Sequence, residues 1–283
     1  MQYISTHVHP SSRVNLHTHS WYCRHGEGEL SDYIAMAKKL GFSALGFSEH
    51  CPLPDHRWEH SRMVFEQLHP YMQECRSLQS QETELQILCG FECDHHPQYQ
   101  NWYKEELIEN GFADYVVFGI HYLIGPDGKD TFLKKLPPTS RFLHAYTDMY
   151  IAALQSGMYS FGVHPDLFGS FYTEWDQEAI SCSKAILSCA SETGIPLEIN
   201  GHGFRKPKIH SSQGKRYQYP LREFWELASS YDVPIIVNSD AHTPANLDIS
   251  ETGALKLANE FGLTLRDWRI STTAEAKRVL SIA

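Results

Sequence analysis

The 283-residue sequence predicts an α/β fold, a closed or nearly closed barrel of seven βα units. Two observations predict it. Short β-rich runs alternate with longer segments of helical period, which is the pattern of repeated βα units and a parallel sheet. No antiparallel block interrupts the alternation, which favours a barrel over an open doubly wound sheet. A barrel of this length is one domain, spanning 1–283 with a polar leader at 1–12.

The strand candidates are taken in order. Arg13 to His17 follows the leader, with Val14 and Leu16 alternating around Asn15. The apolar run Ser43 to Ser48 comes next, then Leu85 to Glu92, Asp114 to His121, Tyr159 to His164, Pro196 to Asn200 and Val233 to Asn238. Between them the 3.6-residue period predicts helices over Leu30 to Leu40, stopped by Gly41, then Ser61 to Ser80, Tyr99 to Asn110 and Ser140 to Ser156. Ala179 to Thr193, stopped by Gly194, Leu221 to Tyr231, Pro244 to Phe261 and a closing Thr273 to Ile282 complete the set. Long loops are expected at Cys51 to Trp58, Leu123 to Pro138 and Gly201 to Tyr219.

Composition narrows the function. No apolar run approaches the roughly 20 residues of a membrane span and the N-terminus lacks a hydrophobic signal core, so the cytoplasm is the expected compartment. Seven cysteines, odd in number and without a C-x-x-C pair, argue against a disulfide framework and against a thiolate zinc site. A net charge of -10 disfavours wrapping nucleic acid. Against that balance, Gly201 to Arg222 carries Arg205, Lys206, Lys208, Lys215, Arg216 and Arg222 and no acidic residue. The 17 histidines exceed the roughly six to eight of an average chain this long and require a chemical explanation.

The barrel supplies a test for them, because catalytic groups gather where the strands end and the following loops begin. His17 and His19 end the first strand, Glu49 and His50 the second, Glu92 the third, His121 the fourth and His164 the fifth. Asn200 ends the sixth, and Asp240 and His242 follow the seventh. In His17-Thr18-His19 the two imidazoles face the same way, since side chains two apart on an extended segment share a face. His7-Val8-His9 has the same spacing but lies in the polar leader, and is read as structural. His25 sits in a glycine-containing loop able to bend back over the first strand. Glu92 ends a buried-looking strand, where an unpaired carboxylate is costly and a cation is the usual remedy. His56, His60, His69, His95, His96 and His144 lack this placement and are assigned no chemistry.

Together His17-Thr18-His19-Ser20, Ser48-Glu49-His50, Gly90-Phe91-Glu92, Gly119-Ile120-His121, His164 and Asn238-Ser239-Asp240-Ala241-His242 resemble the ordered motifs of the polymerase and histidinol phosphatase (PHP) superfamily, over nearly the whole chain. The resemblance implies a distorted (β/α)7 barrel with its metal site at the C-terminal mouth of the strands. Chain length, Cys23 with His25-Gly26, and Glu198-Ile199-Asn200 followed by Arg205-Lys206-Pro207 are similar to the monofunctional histidinol-phosphate phosphatases. Carried over residue by residue, the resemblance implies one cation on His17, His19, Glu92 and Asp240. A second would share Glu92 and take His121 and His164, and a third would take His25, His50 and His242. Two or three divalent ions are expected, and nitrogen with carboxylate ligands suits Zn²⁺, Fe²⁺ or Mn²⁺.

The implied activity is hydrolysis of L-histidinol phosphate in histidine biosynthesis, with Glu92, Asp240 and His242 in catalytic roles and Asp240 or His242 passing a proton to the leaving oxygen. The substrate is a small phosphorylated molecule, and neither nucleic acid nor membrane is an expected partner. Arg205, Lys206 and Lys208 are expected at its phosphate and Asn200 and His202 at the rest of it. The chain departs from the subfamily after His164, where Pro165-Asp166-Leu167-Phe168-Gly169-Ser170-Phe171 brings no cation and the next is Lys184. The alternatives are a PHP phosphoesterase acting on another small phosphomonoester, a nucleotide or a phosphoprotein, and a non-enzymatic metal-binding protein.

Overall fold

In the computed structural model, residues 13–125, 127–248 and 253–266 are described. The expected closing helix Thr273 to Ile282 and the leader 1–12 lie outside them. The parallel strands at Phe42–His50, Gln86–Asp94, Leu197–Asn200 and Ile235–Asn238 form where a short apolar run follows a helix. β1 (Arg13–Asn15), β2 (Phe42–His50), β3 (Gln86–Asp94) and β4 (Tyr115–Gly119) make a curled parallel sheet in that order. The helices between them are α1 (Leu30–Lys39) and α2 (Leu68–Gln81), then a single turn α3 (Gln100–Trp102) that widens into a π-helix over Tyr103–Glu109. After α4 (Ser140–Gln155) the fifth expected strand is reduced to an extended segment. Its Gly162 bridges Phe118 on one side and Leu197 on the other. α5 (Gln177–Thr193) ends on Gly194, whose φ of 69° is the left-handed conformation that favours glycine.

Two antiparallel hairpins interrupt the expected loops. β5 (Tyr122–Ile124) pairs with β6 (Asp130–Phe132) inside Leu123 to Pro138. Beyond β7 (Leu197–Asn200), β8 (Ile209–Ser211) pairs with β9 (Gly214–Arg216) inside the basic loop. α6 (Arg222–Ala228) then leads to β10 (Ile235–Asn238), which pairs in parallel with β7.

Two helix expectations are corrected. The helix expected over Ser61 to Ser80 begins only at Leu68, because buried Arg62 turns inward to an ion pair with Asp94 at 2.6 Å and Val64 is extended. The helix expected over Pro244 to Phe261 is instead a 3₁₀ turn (Pro244–Leu247), stopped by extended Asp248, followed by α7 (Ala254–Glu260).

Strand alternation divides the core. Leu88, Tyr115, Val117, Phe161, Val163 and Ile236 cluster with Leu16 on one face of the strands, while their neighbours Val116 and Phe118 join the larger cluster that also takes in helix residues. First and last strands are joined by buried amides. Asn15 Oδ1 accepts from Ser239 N at 2.7 Å and Asn238 Oδ1 accepts from Leu16 N at 2.8 Å. Thr18 bridges Ala241 in parallel. Replacing Asn15 with alanine leaves the Ser239 N–H without its acceptor in a dry interior. The expected cost is about 1–3 kcal/mol, read as a lower urea midpoint at unchanged secondary structure.

Candidate metal centre

The ends of the parallel strands bring the predicted residues together. Thr18 Oγ1 donates to the Gly46 carbonyl at 2.8 Å, and its N–H donates to Ser48 Oγ at 3.1 Å. These bonds turn the two flanking histidines into the molecule, where both are fully buried. The parallel register sets His50 on β2 beside Glu92 on β3. His164 and Asp240 reach the same space from backbone with positive φ, 32° and 47°, a region that is costly for residues other than glycine and that clusters at functional sites. Gly119 ends β4 against them. A Cβ there would lie 2.8–2.9 Å from His164, Glu92 and His121, so only glycine admits all three.

Glu92 is the hub. Its Oε1 lies 3.0 Å from His164 Nε2 and 3.4 Å from His121 Nε2. Its Oε2 lies 2.8 Å from His50 Nδ1, 3.4 Å from His19 Nε2 and 3.6 Å from His17 Nε2. Asp240 Oδ1 faces His19 and His17 at 3.3 and 3.6 Å. His25 Nε2 meets His242 Nε2 at 3.0 Å. All nine residues expected as ligands, His17, His19, His25, His50, Glu92, His121, His164, Asp240 and His242, thus lie in one contiguous cluster. Within it, four overlapping triads have donor atoms all within 4.8 Å of one another: His17, His19 and Glu92; His50, Glu92 and His121; His19, His50 and His242; and Cys23, His25 and His242. The Cys23 thiol donates to the Ser20 carbonyl at 3.1 Å, and burial raises its pKa, so it is held protonated.

The chemistry of this donor set fits a cation. Glu92 Oε2, Asp240 Oδ1 and His50 Nδ1 are buried without an aligned hydrogen bond, although 2.8 Å separates the first from the last. They point at common space rather than at each other. His17 Nδ1 contacts Glu198 Oε1 at 2.8 Å, which turns its Nε2 inward to face His19 Nε2 at 3.0 Å. His25 Nδ1 is likewise held by the Cys23 carbonyl at 2.7 Å while its Nε2 faces His242. His242 Nδ1 is held by the Asp240 carbonyl at 3.1 Å, so the two Nε2 atoms of the His25–His242 pair both present lone pairs, which a proton or a cation between them satisfies.

Protonation states agree. Burial alone raises the carboxyl pKa of Glu92, but His50, His121 and His17 nearby outweigh it and keep Glu92 ionised. His17, with the His19 ring 3.3 Å from Oδ1, does the same for Asp240. Burial, reinforced by neighbouring imidazoles, lowers His19 and His242 and takes His25 down to about 3, so these rings are neutral and able to ligate. His17 and His121 go the other way: despite burial, Glu198, Asp240 and Glu92 raise His17 above its ordinary value. Asp94 and Glu92 likewise lift His121 to about 9, and its proton is one that a bound cation displaces.

Around the ligands lies an orienting layer that sequence reasoning missed. Glu198, fully buried, receives His17 Nδ1, Asn238 Nδ2, Asn200 Nδ2 and the His164 N–H. Asp94 Oδ1 accepts from the His121 N–H at 3.0 Å and contacts its Nδ1 at 2.9 Å, with Arg62 on the other oxygen. The available signal was spacing, since Asp94 lies two residues beyond Glu92 and Glu198 two before Asn200, each on the shared face of its strand.

The expected substrate groups are placed differently from one another. A cavity of about 440 Å³ opens over the ligands and is lined by His202 and Lys206. Arg205 instead donates to the carbonyls of Asn246 and Asp248, and the Lys208 ammonium lies 4.5 Å from the centre of the Tyr217 ring. Asn200 Nδ2 donates to Asp240 Oδ2 at 3.0 Å and its Oδ1 accepts from Gly203 N, which commits the amide to holding the centre. Arg62, Lys134, Lys135 and Tyr219 also line the cavity and were not anticipated.

Comparison with known proteins accords with this geometry. Residues 15–202 match the PHP domain family. The chain belongs to the PHP family. It is 29% identical over 253 residues to a Deinococcus radiodurans protein named probable histidinol-phosphatase, covering 87% of this chain and 92% of the relative. The histidinol-phosphatase of Bacillus subtilis is 25% identical, over 80% of this chain and 92% of its own. Histidinol phosphate phosphatase from Lactococcus lactis, solved with zinc, L-histidinol and phosphate, superposes with a TM-score of 0.65 at 16% identity, covering 90% of this chain and 95% of that one. That likeness establishes a shared fold. No helix of this PHP protein, among the described residues, is long and apolar enough to cross a membrane.

Two outcomes test the centre. Glu198→Ala frees the His17 ring and is expected to weaken divalent-metal affinity by roughly 10–100-fold in a competition titration, at unchanged circular dichroism. Stripping divalent ions with a chelator is expected to lower the melting temperature by about 5 °C or more, reversed by added metal, because the buried carboxylates lose their counter-charge.

Proposed function

We propose that this PHP-family chain is a metal-dependent phosphomonoesterase that hydrolyses L-histidinol phosphate to L-histidinol and phosphate, the activity of a histidine biosynthetic enzyme. One observation carries the reading: nine imidazole and carboxylate groups converge in a chain similar, over 92% of their own length, to one relative named histidinol-phosphatase and one named probable histidinol-phosphatase. The fold reading that goes with it is a distorted barrel of seven βα units in one domain, its ring completed through the Gly162 segment and the Asn15 and Asn238 amides. Its centre lies at the C-terminal mouth.

Two or three divalent ions, zinc, iron or manganese, would be held by His17, His19, Glu92 and Asp240, by Glu92, His121 and His164, and by His25, His50 and His242. When bound, such ions lower the pKa of a coordinated water from about 15.7 towards roughly 7 and neutralise charge that grows on the phosphoryl group. The protein does the rest. Glu198 and Asp94 fix the ring orientation of His17 and His121. Asn200 holds one Asp240 oxygen and leaves the other inward. Asp240 or His242 relays to the leaving alkoxide the proton that the attacking water gives up. Buried Tyr219, its ring 6.0 Å from that of His164, helps exclude bulk water.

One observation favours a second reading. Among the described residues that line the cavity, the only carboxylates are Glu92 and Asp240, which face the imidazoles, whereas Lys134, Lys135 and Lys206 have no acidic partner. A phosphomonoester more anionic than histidinol phosphate suits that lining. A phosphate-release panel of histidinol phosphate, nucleotides, sugar phosphates and p-nitrophenyl phosphate decides between them. Selective turnover of histidinol phosphate is expected, with Glu92→Gln and Asp240→Asn each losing more than about a hundredfold of activity together with bound metal. Preference for a more anionic ester would favour the second reading, and full activity in either variant would overturn both.

A further inference from the structure

The cavity above the ligands has a cationic side that its sequence motifs do not account for. The segment after His164 carries no lysine or arginine until Lys184. The space in front of it is nevertheless supplied with positive charge. The β5–β6 hairpin is followed by a 3₁₀ turn over Leu133–Lys135, which packs against the turn Leu167–Ser170 just beyond His164. Leu133 is buried, and its N–H donates to the carbonyl of the ligand His121 at 2.9 Å. The hairpin register sets Tyr122 opposite Phe132, and both line the cavity. One hydrogen bond and one paired residue therefore fix the two residues that follow, Lys134 and Lys135, at the wall of the cavity.

From the other side Lys206 enters on the loop after β7. None of the three ammonium groups has a carboxylate partner among the described residues, and the nearby hairpin acid is taken, because Asp130 accepts from Arg57 at 2.8 Å. Unpaired lysines normally spread into solvent. Lys134 and Lys135 stay exposed at the rim, but with Lys206 they line one cavity beside a cluster of buried acids and imidazoles, so the partner that fits is an anion the cavity admits.

We propose that Lys134, together with Lys206, binds the phosphoryl oxygens of the substrate and orients the ester over the ligand cluster, with Lys135 adding to the attraction from the rim. This assignment rests on the phosphomonoesterase reading and makes Lys134 a substrate-binding residue in place of a cation after His164. Burial and the neighbouring Lys206 ammonium both depress the Lys134 pKa, as expected of two like charges held close for an anion that neutralises both.

The test uses the metal-loaded protein and inorganic phosphate as the probe, measured by calorimetry and as a competitive inhibitor of p-nitrophenyl phosphate hydrolysis. Lys134→Met and Lys206→Met are expected each to weaken phosphate binding by roughly ten- to a hundredfold, one charge-assisted hydrogen bond apiece. KM rises more than kcat falls, and metal content stays at the wild-type level. Lys134→Arg retains most of the affinity. Lys215→Met, in the same basic loop but outside the cavity lining, leaves phosphate binding unchanged. Wild-type phosphate affinity in the Lys134→Met, Lys206→Met double variant overturns the proposal, as does equal weakening by Lys215→Met. If the wild-type protein turns over no histidinol phosphate while the lysine variants still lose phosphate, the substrate reading fails and the clamp stands.

Discussion

Glu92 carries a full negative charge at the end of a strand buried on both faces, and the organisation of the molecule answers that charge. An isolated carboxylate there would take up a proton. It stays ionised because the strand order brings imidazoles from four other segments within 3.6 Å of its two oxygens. Protonation of His17 and His121 offsets part of that charge, while two pairs, His17–His19 and His25–His242, face each other nitrogen to nitrogen. A divalent cation resolves both conflicts at once, since it accepts the lone pairs and supplies the charge that the carboxylates lack. The centre is thus a condition of the fold as well as its chemical device.

The orienting groups show how site and scaffold share the same bonds. Glu198 holds the ring of His17, the N–H of His164 and the amides of Asn200 and Asn238, and Asn238 in turn joins the last strand to the first. Displacing that one carboxylate would loosen a ligand, a strand end and the junction of the sheet together. Asp94 plays the corresponding part at His121, and its ion pair with Arg62 draws the preceding segment out of the expected helix. Local propensity loses at Arg62 because a buried guanidinium without its carboxylate costs more than one turn of helix.

Much of this was legible in the residue order. That the nine candidate residues come together could be read because strand ends are marked by apolar runs and because alternation fixes which residues share a face. Both signals are local, and both survive at His17-Thr18-His19 and Asp240-Ala241-His242. What could not be read depends on chain segments far apart. Nothing near Lys134 in sequence marks the hairpin that carries it to the cavity, and the loop expected there has no regular pattern. The basic run after Asn200 showed the opposite limit. Its charges were evident, but which side chain turns inward depends on acceptors elsewhere. The carbonyls of Asn246 and Asp248 occupy Arg205 and the Tyr217 ring engages Lys208, while Lys206 is left facing the cavity.

The arrangement orders charge by depth. Carboxylates and imidazoles lie buried together, and lysines stand at the rim of a chain whose net charge is -10. An approaching phosphomonoester meets an acidic exterior that offers it nothing and a mouth that attracts it, so the field concentrates it where the ligands are. The lysines engage the phosphoryl oxygens and not the leaving group, so the ester must enter phosphate first. The organic portion is then left against Phe132, Tyr122 and Leu167, apolar or aromatic side chains on the same wall. That division of labour explains why a lining with few specific polar contacts for the organic portion can still orient it: the phosphate fixes the position, and the remaining surface only has to fit.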